Sequence, residues 1–163
     1  MRYYLGMRNN EWLDQKLDYI WQTYFANVPR SNEVSIAFGR CARTRLGSIR
    51  KTSRKSDFAS QILITGYFKD EKVPEHIIEA VIAHELCHYA HGFSSPLPQL
   101  FKYPHQGRAV DREMIKRGLG DILLAQNKWL KNEWKAVIGP VKRRRRVRKV
   151  RRTSIFQFLF SNS

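Results

Sequence analysis

The chain has 163 residues, 42% of them hydrophobic, and this length and composition predict one globular domain. Its two cysteines exclude a disulfide scaffold and a four-cysteine zinc ribbon, and no apolar run reaches the roughly 18 residues of a membrane span. The formal net charge of +16 is typical of proteins that bind a polyanion, such as nucleic acid or anionic lipid. The N-terminus has no apolar signal-peptide core, which predicts a cytoplasmic protein.

The first half of the chain predicts one helix followed by three strands. Asn10 is the predicted N-cap of a helix over residues 11–25, whose apolar side chains recur along one stripe. Strand-like runs follow at residues 33–38, 44–49 and 60–68, separated by turn-forming residues. These runs predict a small antiparallel sheet.

The second half predicts three helices and a tail. A helix over residues 74–91 begins at Pro74 and is ended by Gly92. After a connection with three prolines, shorter helices are predicted at residues 108–117 and 121–135. Because Gly139-Pro140 then breaks the chain, we assign residues 1–140 to a domain and residues 141–163 to a C-terminal tail.

The tail combines a basic run with an apolar end. Nine of the eleven residues in KRRRRVRKVRR (142–152) are cationic, and they predict a sequence-independent contact with nucleic acid. We predict that the apolar segment SIFQFLF (154–160) docks on the core of the domain. The alternatives are that it folds back into a substrate cleft as a plug, or that it lies with the basic run on an anionic membrane. The predicted nucleic-acid-binding residues are Lys142, Arg143, Arg144, Arg145, Arg146, Arg148, Lys149, Arg151 and Arg152.

The helix over residues 74–91 contains an H-E-x-x-H motif. His84 and His88 are one helical turn apart, so both imidazoles leave the same face and can bind one zinc ion. Glu85 follows the first histidine, where its carboxylate can accept a proton from the attacking water of a peptidase. We predict that Cys87 is a small core residue.

A catalytic zinc site needs a third protein ligand. His91 lies about 10 Å along the helix axis from His84, which is too far for both to bind the same ion as His88. A metzincin would have its third histidine at position 94, which is a serine. The remaining candidates are His105, or a carboxylate from Asp111 or Glu113 on the next helix.

Several stretches of the chain resemble the SprT-like zinc metallopeptidases, which include the Spartan DNA–protein crosslink proteases. These stretches are RTRLGSI, ILIT, VIAHELCHYAHG and HQGRAVDREMIKRGLG, within residues 34–120. YgjP-like peptidases and minimal gluzincins are similar over the same region. The resemblance implies a zincin-like α+β fold, in which the small sheet packs on the N-terminal helix and the H-E-x-x-H helix.

The resemblance also implies roles for individual residues. By position, His84, His88 and His105 are the zinc ligands and Glu85 is the general base. The chain departs from the family pattern at Gln106, which separates the third histidine from its glycine, and it lacks the C-terminal zinc ribbon of many members. The basic run occupies the place of that ribbon.

We therefore expect an endopeptidase with one catalytic zinc ion that cleaves proteins bound or crosslinked to nucleic acid. The alternatives are a non-catalytic nucleic-acid-binding module with a structural or vestigial zinc site, and a self-inhibited peptidase of the minimal gluzincin type. Tyr103 and Arg108 are candidates for stabilising the oxyanion, and the strand SQILITGYF (60–68) is the candidate for pairing with the substrate main chain.

Overall fold

The computed structural model describes residues 8–140, so the predicted tail, with its nine cations and its apolar end, lies outside the described residues. The described part is a mixed α and β structure. Its helices are α1 (Asn10–Tyr24), α2 (Glu75–Ala90), α3 (Ala109–Lys116), α4 (Gly120–Asn132) and α5 (Trp134–Ile138). Its strands are β1 (Val34–Phe38), β2 (Gly47–Lys51) and β3 (Ser60–Ile64), and short 3-10 turns lie at Gly66–Lys69 and Gln106–Arg108.

The sheet is mixed, so the prediction of an antiparallel sheet is wrong. Its strand order is β1-β3-β2, in which β1 pairs with β3 in parallel and β2 pairs with β3 antiparallel. The strand β3 is therefore central, whereas β2 lies at the edge. The prediction that residues 60–68 form the substrate-pairing edge strand is wrong for the same reason.

The connection between β1 and β2 explains this topology. Residues 39–46 are too many for a tight hairpin, and they cross over the end of β3 instead. The hydroxyl of Thr65 donates to the carbonyl of Ala42 at 2.9 Å, and the amide of Gly66 donates to the carbonyl of Arg40 at 3.1 Å. A Cβ at Gly66 would lie 2.7 Å from the carbonyl oxygen of Gly39, so glycine is what allows the crossing chain to approach.

Helix α2 is the centre of the core. It is apolar on nearly all sides and is buried between β2 and β3, α1, α3 and α4. Every second residue of β3 is buried, as expected for a strand with one face against the core. The prediction that Cys87 is a core residue is confirmed, because its side chain is fully buried.

The ends of the described region are fixed by side-chain hydrogen bonds. Helix α1 begins one residue earlier than predicted, because the side chain of Asn9 rather than Asn10 accepts from a first-turn amide, that of Trp12, at 2.9 Å. At the other end, Arg43 donates to the carbonyls of Ile138 and Gly139 at 2.8 and 2.5 Å. Among the helices of residues 8–140, none has the length and apolar character needed to cross a membrane.

Candidate metal centre and cleft

Helix α2 presents two histidines side by side. His84 and His88 are four residues apart, and their Nε2 atoms lie 3.2 Å from each other. Two ligands of one tetrahedral zinc ion, each about 2.0–2.1 Å from the metal, are separated by about 3.3 Å. The two side chains are therefore spaced as a shared metal ion requires.

His105 reaches these two histidines from the loop after α2. One potential ligand atom from each of His84, His88 and His105 lies within 4.8 Å of the others, and no other such group of His, Cys, Asp or Glu occurs in residues 8–140. The ring centroids of His88 and His105 are 4.7 Å apart. The structure thus brings the three predicted ligands together, and they can form a metal site.

A left-handed glycine at the end of α2 sets the path of this loop. The amides of Gly92 and Phe93 donate to the carbonyls of Tyr89 and His88 at 3.0 and 2.9 Å, which is the Schellman pattern. Gly92 has a φ of +83°, and a Cβ there would lie 2.6 Å from the amide nitrogen of Gln99. Glycine is therefore needed both for the turn and for the return of the chain toward the histidines.

His91 supports the loop that carries His105. Its ring packs edge-on against Phe101, with centroids 4.9 Å apart, and its carbonyl accepts from the amide of Leu100 at 3.0 Å. Its Nε2 atom lies 3.8 Å from a carboxylate oxygen of Glu113. His91 belongs to the buried support of the loop and is not part of the three-histidine cluster, in agreement with its distance along α2.

The electrostatics of the cluster keep His84 and His88 unprotonated. Burial, together with the neighbouring imidazoles, lowers the pKa of His88 to about 3 and that of His84 to about 4. Both rings are therefore neutral at pH 7, which is the form that binds a metal ion. Imidazole nitrogens are donors suited to zinc and to other late first-row metals.

Glu85 lies beside the cluster and is held by β2. Its side chain is buried, and burial raises its pKa to about 8, although the nearby backbone N–H of Ile49 and the charge of Arg45 oppose this shift. A Cβ at Gly47 would lie only 2.6 Å from the carboxylate oxygen Oε1 of Glu85. The edge strand therefore packs directly on this carboxylate and fixes its position.

The cluster and Glu85 open into a cleft of about 890 Å³ between β2 and α4. Neither Tyr103 nor Arg108 lines this cleft: Tyr103 is exposed, and Arg108 pairs with Asp111 at 3.0 Å. Polar cleft residues that the sequence analysis missed include Arg45, Gln126 and Asn127. The available signal was Gln126, a polar residue on the same buried stripe of α4 as Leu123.

The two carboxylates considered as alternative ligands have other partners. Glu113 accepts from Nε of Arg117 at 2.8 Å and faces His91. Asp111 lines the cleft and pairs with Arg108, and its charge acts against the lowering of the pKa of His84. Asp111 thus lies beside the cluster, whereas Glu113 is committed to the contact between α3 and its neighbours.

No family model, curated protein or solved structure matches the chain.

Proposed function

We propose that this protein is a zinc-dependent endopeptidase with a zincin-like fold, in which His84, His88 and His105 hold the ion and Glu85 is the general base. The observation that carries the proposal is the placement of a buried carboxylate beside a three-imidazole cluster at the floor of an open cleft. A purely structural metal site needs neither the open side nor the carboxylate. The sequence resemblance to SprT-like peptidases agrees with the same assignment.

The chemistry divides between the ion and the chain. When bound, zinc would lower the pKa of a water molecule and polarise the scissile carbonyl. Glu85 accepts the proton of the attacking water and passes it to the leaving amine. Glu85 must be a carboxylate to accept this proton, and a cation held by the three histidines would favour that form against the effect of burial on its pKa.

The edge strand β2 is the proposed support for the substrate. Gly47, Ser48 and Ile49 line the cleft, and the outer edge of β2 carries no strand within residues 8–140. An extended peptide can add to such an edge through main-chain hydrogen bonds. In this proposal the scissile bond lies over the histidine cluster, and β2 rather than β3 is the strand that pairs with the substrate.

We further propose that nucleic acid recruits the substrate. Nine cations in eleven residues of the tail can neutralise several phosphates, which gives binding that weakens steeply with salt. The substrates would then be proteins bound or crosslinked to nucleic acid. This part of the proposal rests on the sequence of the tail.

The test combines metal analysis with a peptidase assay on a generic unfolded protein, with and without single-stranded DNA. Wild-type protein should contain about one zinc per chain, and Glu85→Gln should keep the zinc while losing about 10²-fold or more in rate. His76→Ala, on the same helix but outside the cluster, should keep both properties. A zinc-loaded wild type without activity on any protein would favour the non-catalytic alternative, and cleavage by Glu85→Gln would refute the assignment of the base.

A further inference from the structure

The positive charge of the described domain is concentrated in one stretch of sequence. Residues 8–140 contain 20 Lys and Arg against 14 Asp and Glu. Seven of these cations lie in residues 40–55, which contain no carboxylate. The rest of the described domain therefore has 13 cations and 14 carboxylates, so this one stretch accounts for its positive surplus.

The stretch coincides with the edge of the sheet. It consists of β2, the crossing loop before it and the turn after it. Arg43 is occupied by the end of α5, whereas the six other cations are exposed. We call these six the basic edge: Arg40, Arg45, Arg50, Lys51, Arg54 and Lys55.

The cations of the basic edge lack the carboxylate partners that several other cations of residues 8–140 have. Lys16, Arg30 and Arg117 form ion pairs with nearby carboxylates at 2.7–2.9 Å. No residue of the basic edge forms an ion pair with any residue in 8–140. Arg50 instead contacts the amide oxygen of Gln61, and Lys51 lies over the ring of Phe58 at 4.2 Å. The charge of the basic edge is thus available to an external anion.

We propose that the basic edge is a second nucleic-acid-binding surface, located on the folded domain and separate from the tail. The cations follow an extended strand of five residues, about 17 Å long, with further cations beyond each end. A row of this kind matches the repeated phosphates of a nucleic-acid backbone. Because the row offers no exposed aromatic side chain for base stacking, binding is independent of sequence.

The same features disfavour a membrane as the partner. A protein that lies on a membrane combines cations with exposed apolar side chains that enter the lipid. The exposed large hydrophobic residues of the described domain all lie outside the stretch 40–55; they are Tyr19, Leu100, Tyr103, Ile115 and Leu124. The basic edge therefore supplies charge without an apolar anchor.

The basic edge lies next to the cleft, and its role in presenting substrate rests on the proposed peptidase function. Arg45 belongs to the basic edge and also lines the cleft, as do the first residues of β2. A nucleic acid on the basic edge consequently passes the mouth of the cleft. A protein attached to that nucleic acid is presented to the histidine cluster at short range, whereas the tail increases the overall affinity.

The experiment measures binding alone, so it remains informative if no peptidase activity is found. All variants are made in the full-length chain with the nine tail cations replaced by glutamine. One carries Arg40→Gln, Arg45→Gln, Arg54→Gln and Lys55→Gln; the matched control carries the same change at Lys72, Lys116, Lys128 and Lys131, which are exposed and lie outside the stretch 40–55. The probes are fluorescein-labelled single-stranded and duplex oligonucleotides, followed by anisotropy at a series of NaCl concentrations.

The tail-neutralised parent should still bind. Removing four phosphate contacts should lower the slope of log Kobs against log[salt] by about 3 for single strands, whereas the control should lower it by less than about 1. Thermal melts establish that both variants are folded. The proposal is overturned if the parent does not bind, if both variants weaken equally, or if the parent binds phosphatidylserine vesicles in preference to both oligonucleotides.

Discussion

The contact between β2 and Glu85 makes Gly47→Ala a sharp test of the proposed catalytic geometry. The new Cβ would lie 2.6 Å from Oε1 of Glu85 and 2.6 Å from Cγ1 of Val81, whereas ordinary contact begins at 3.4 Å. Strand and helix must therefore separate by about 0.8 Å, or the carboxylate must turn away. A displacement of about 1 Å can cost on the order of 100-fold in rate, and overpacking of this kind costs about 1–3 kcal/mol in stability.

The assay compares the peptidase rate, the zinc content and the melting temperature of Gly47→Ala with those of Gly39→Ala. A Cβ at Gly39 would lie 3.7 Å from its nearest neighbours, so this control adds the same methyl group without a clash. We expect Gly47→Ala to keep its zinc and to lose about 100-fold in rate, and the control to behave as wild type. Wild-type activity in Gly47→Ala would refute the inference that β2 positions the base.

Four further predictions follow from the site and its supports. His105→Ala should weaken zinc binding by more than the roughly 10–100-fold typical of a change outside the ligands. Glu113→Gln should retain zinc and lower only the melting temperature, because it loses its ion pair with Arg117. Zinc affinity is measured by competition with a chelator, and the reverse result would make Glu113 the ligand. Gly92→Ala should lower both stability and zinc affinity, since the loop that carries His105 must move; an unchanged zinc affinity would contradict this path. Arg43→Ala should lower the melting temperature by several degrees, because two hydrogen bonds to the end of α5 are lost; an unchanged melting curve would show that these bonds contribute nothing. In the metal-free protein, the free energy of unfolding in urea should be highest near pH 6.5. Below this pH the unfolded chain binds protons at His84 and His88, whose pKa values in the folded protein are only about 4 and 3, so stability falls as the pH falls. Above it the folded protein keeps a proton on Glu85, whose pKa is about 8, while the unfolded chain does not, so stability falls as the pH rises; Glu85→Gln should remove this decline and steepen the rise below pH 6.5.

Helices α1 to α4 could be predicted from the sequence because their signals are local, whereas α5 was not predicted as a helix separate from α4. The apolar stripe of α1, and Pro74 and Gly92 around α2, lie within or next to the element that they define. The predicted start of α1 is one residue late, because Asn9 and Asn10 are the same residue type and are equally good N-caps. A local signal therefore predicts that a helix is present but does not fix the residue at which it begins.

The sheet could not be predicted in the same way. Alternating apolar residues identify a strand, but they do not state which neighbour it pairs with. The crossing of residues 39–46 depends on contacts with Thr65 and Gly66, about 25 positions away in sequence. An antiparallel sheet is the usual expectation for consecutive strands joined by turns, and these long-range contacts override it.

The site shows the same division between local and long-range information. The spacing of His84, Glu85 and His88 is a property of one helix, so the sequence alone was enough to place them on one face. His105 depends on a loop whose course is set by Gly92, by Phe101 packing on His91, and by Gln106, which accepts a hydrogen bond from the amide of Lys102 at 3.2 Å. The residue that separates His105 from Gly107 therefore has a structural role in presenting the histidine. Arg45 and Gln126 come together in the cleft only through the fold, whereas Tyr103 and Arg108 are close to His105 in sequence and lie outside the cleft.

The edge strand β2 joins the parts of the proposed mechanism. Gly47 packs on the carboxylate of Glu85, and the backbone N–H of Ile49 favours its charged form. The same strand is the edge proposed to pair with a peptide, and it carries part of the basic edge. A nucleic acid or peptide that pulls β2 toward or away from α2 would therefore also move the general base. In this arrangement recruitment and catalysis share one structural element, so a substrate bound along β2 would be held at the strand that positions Glu85.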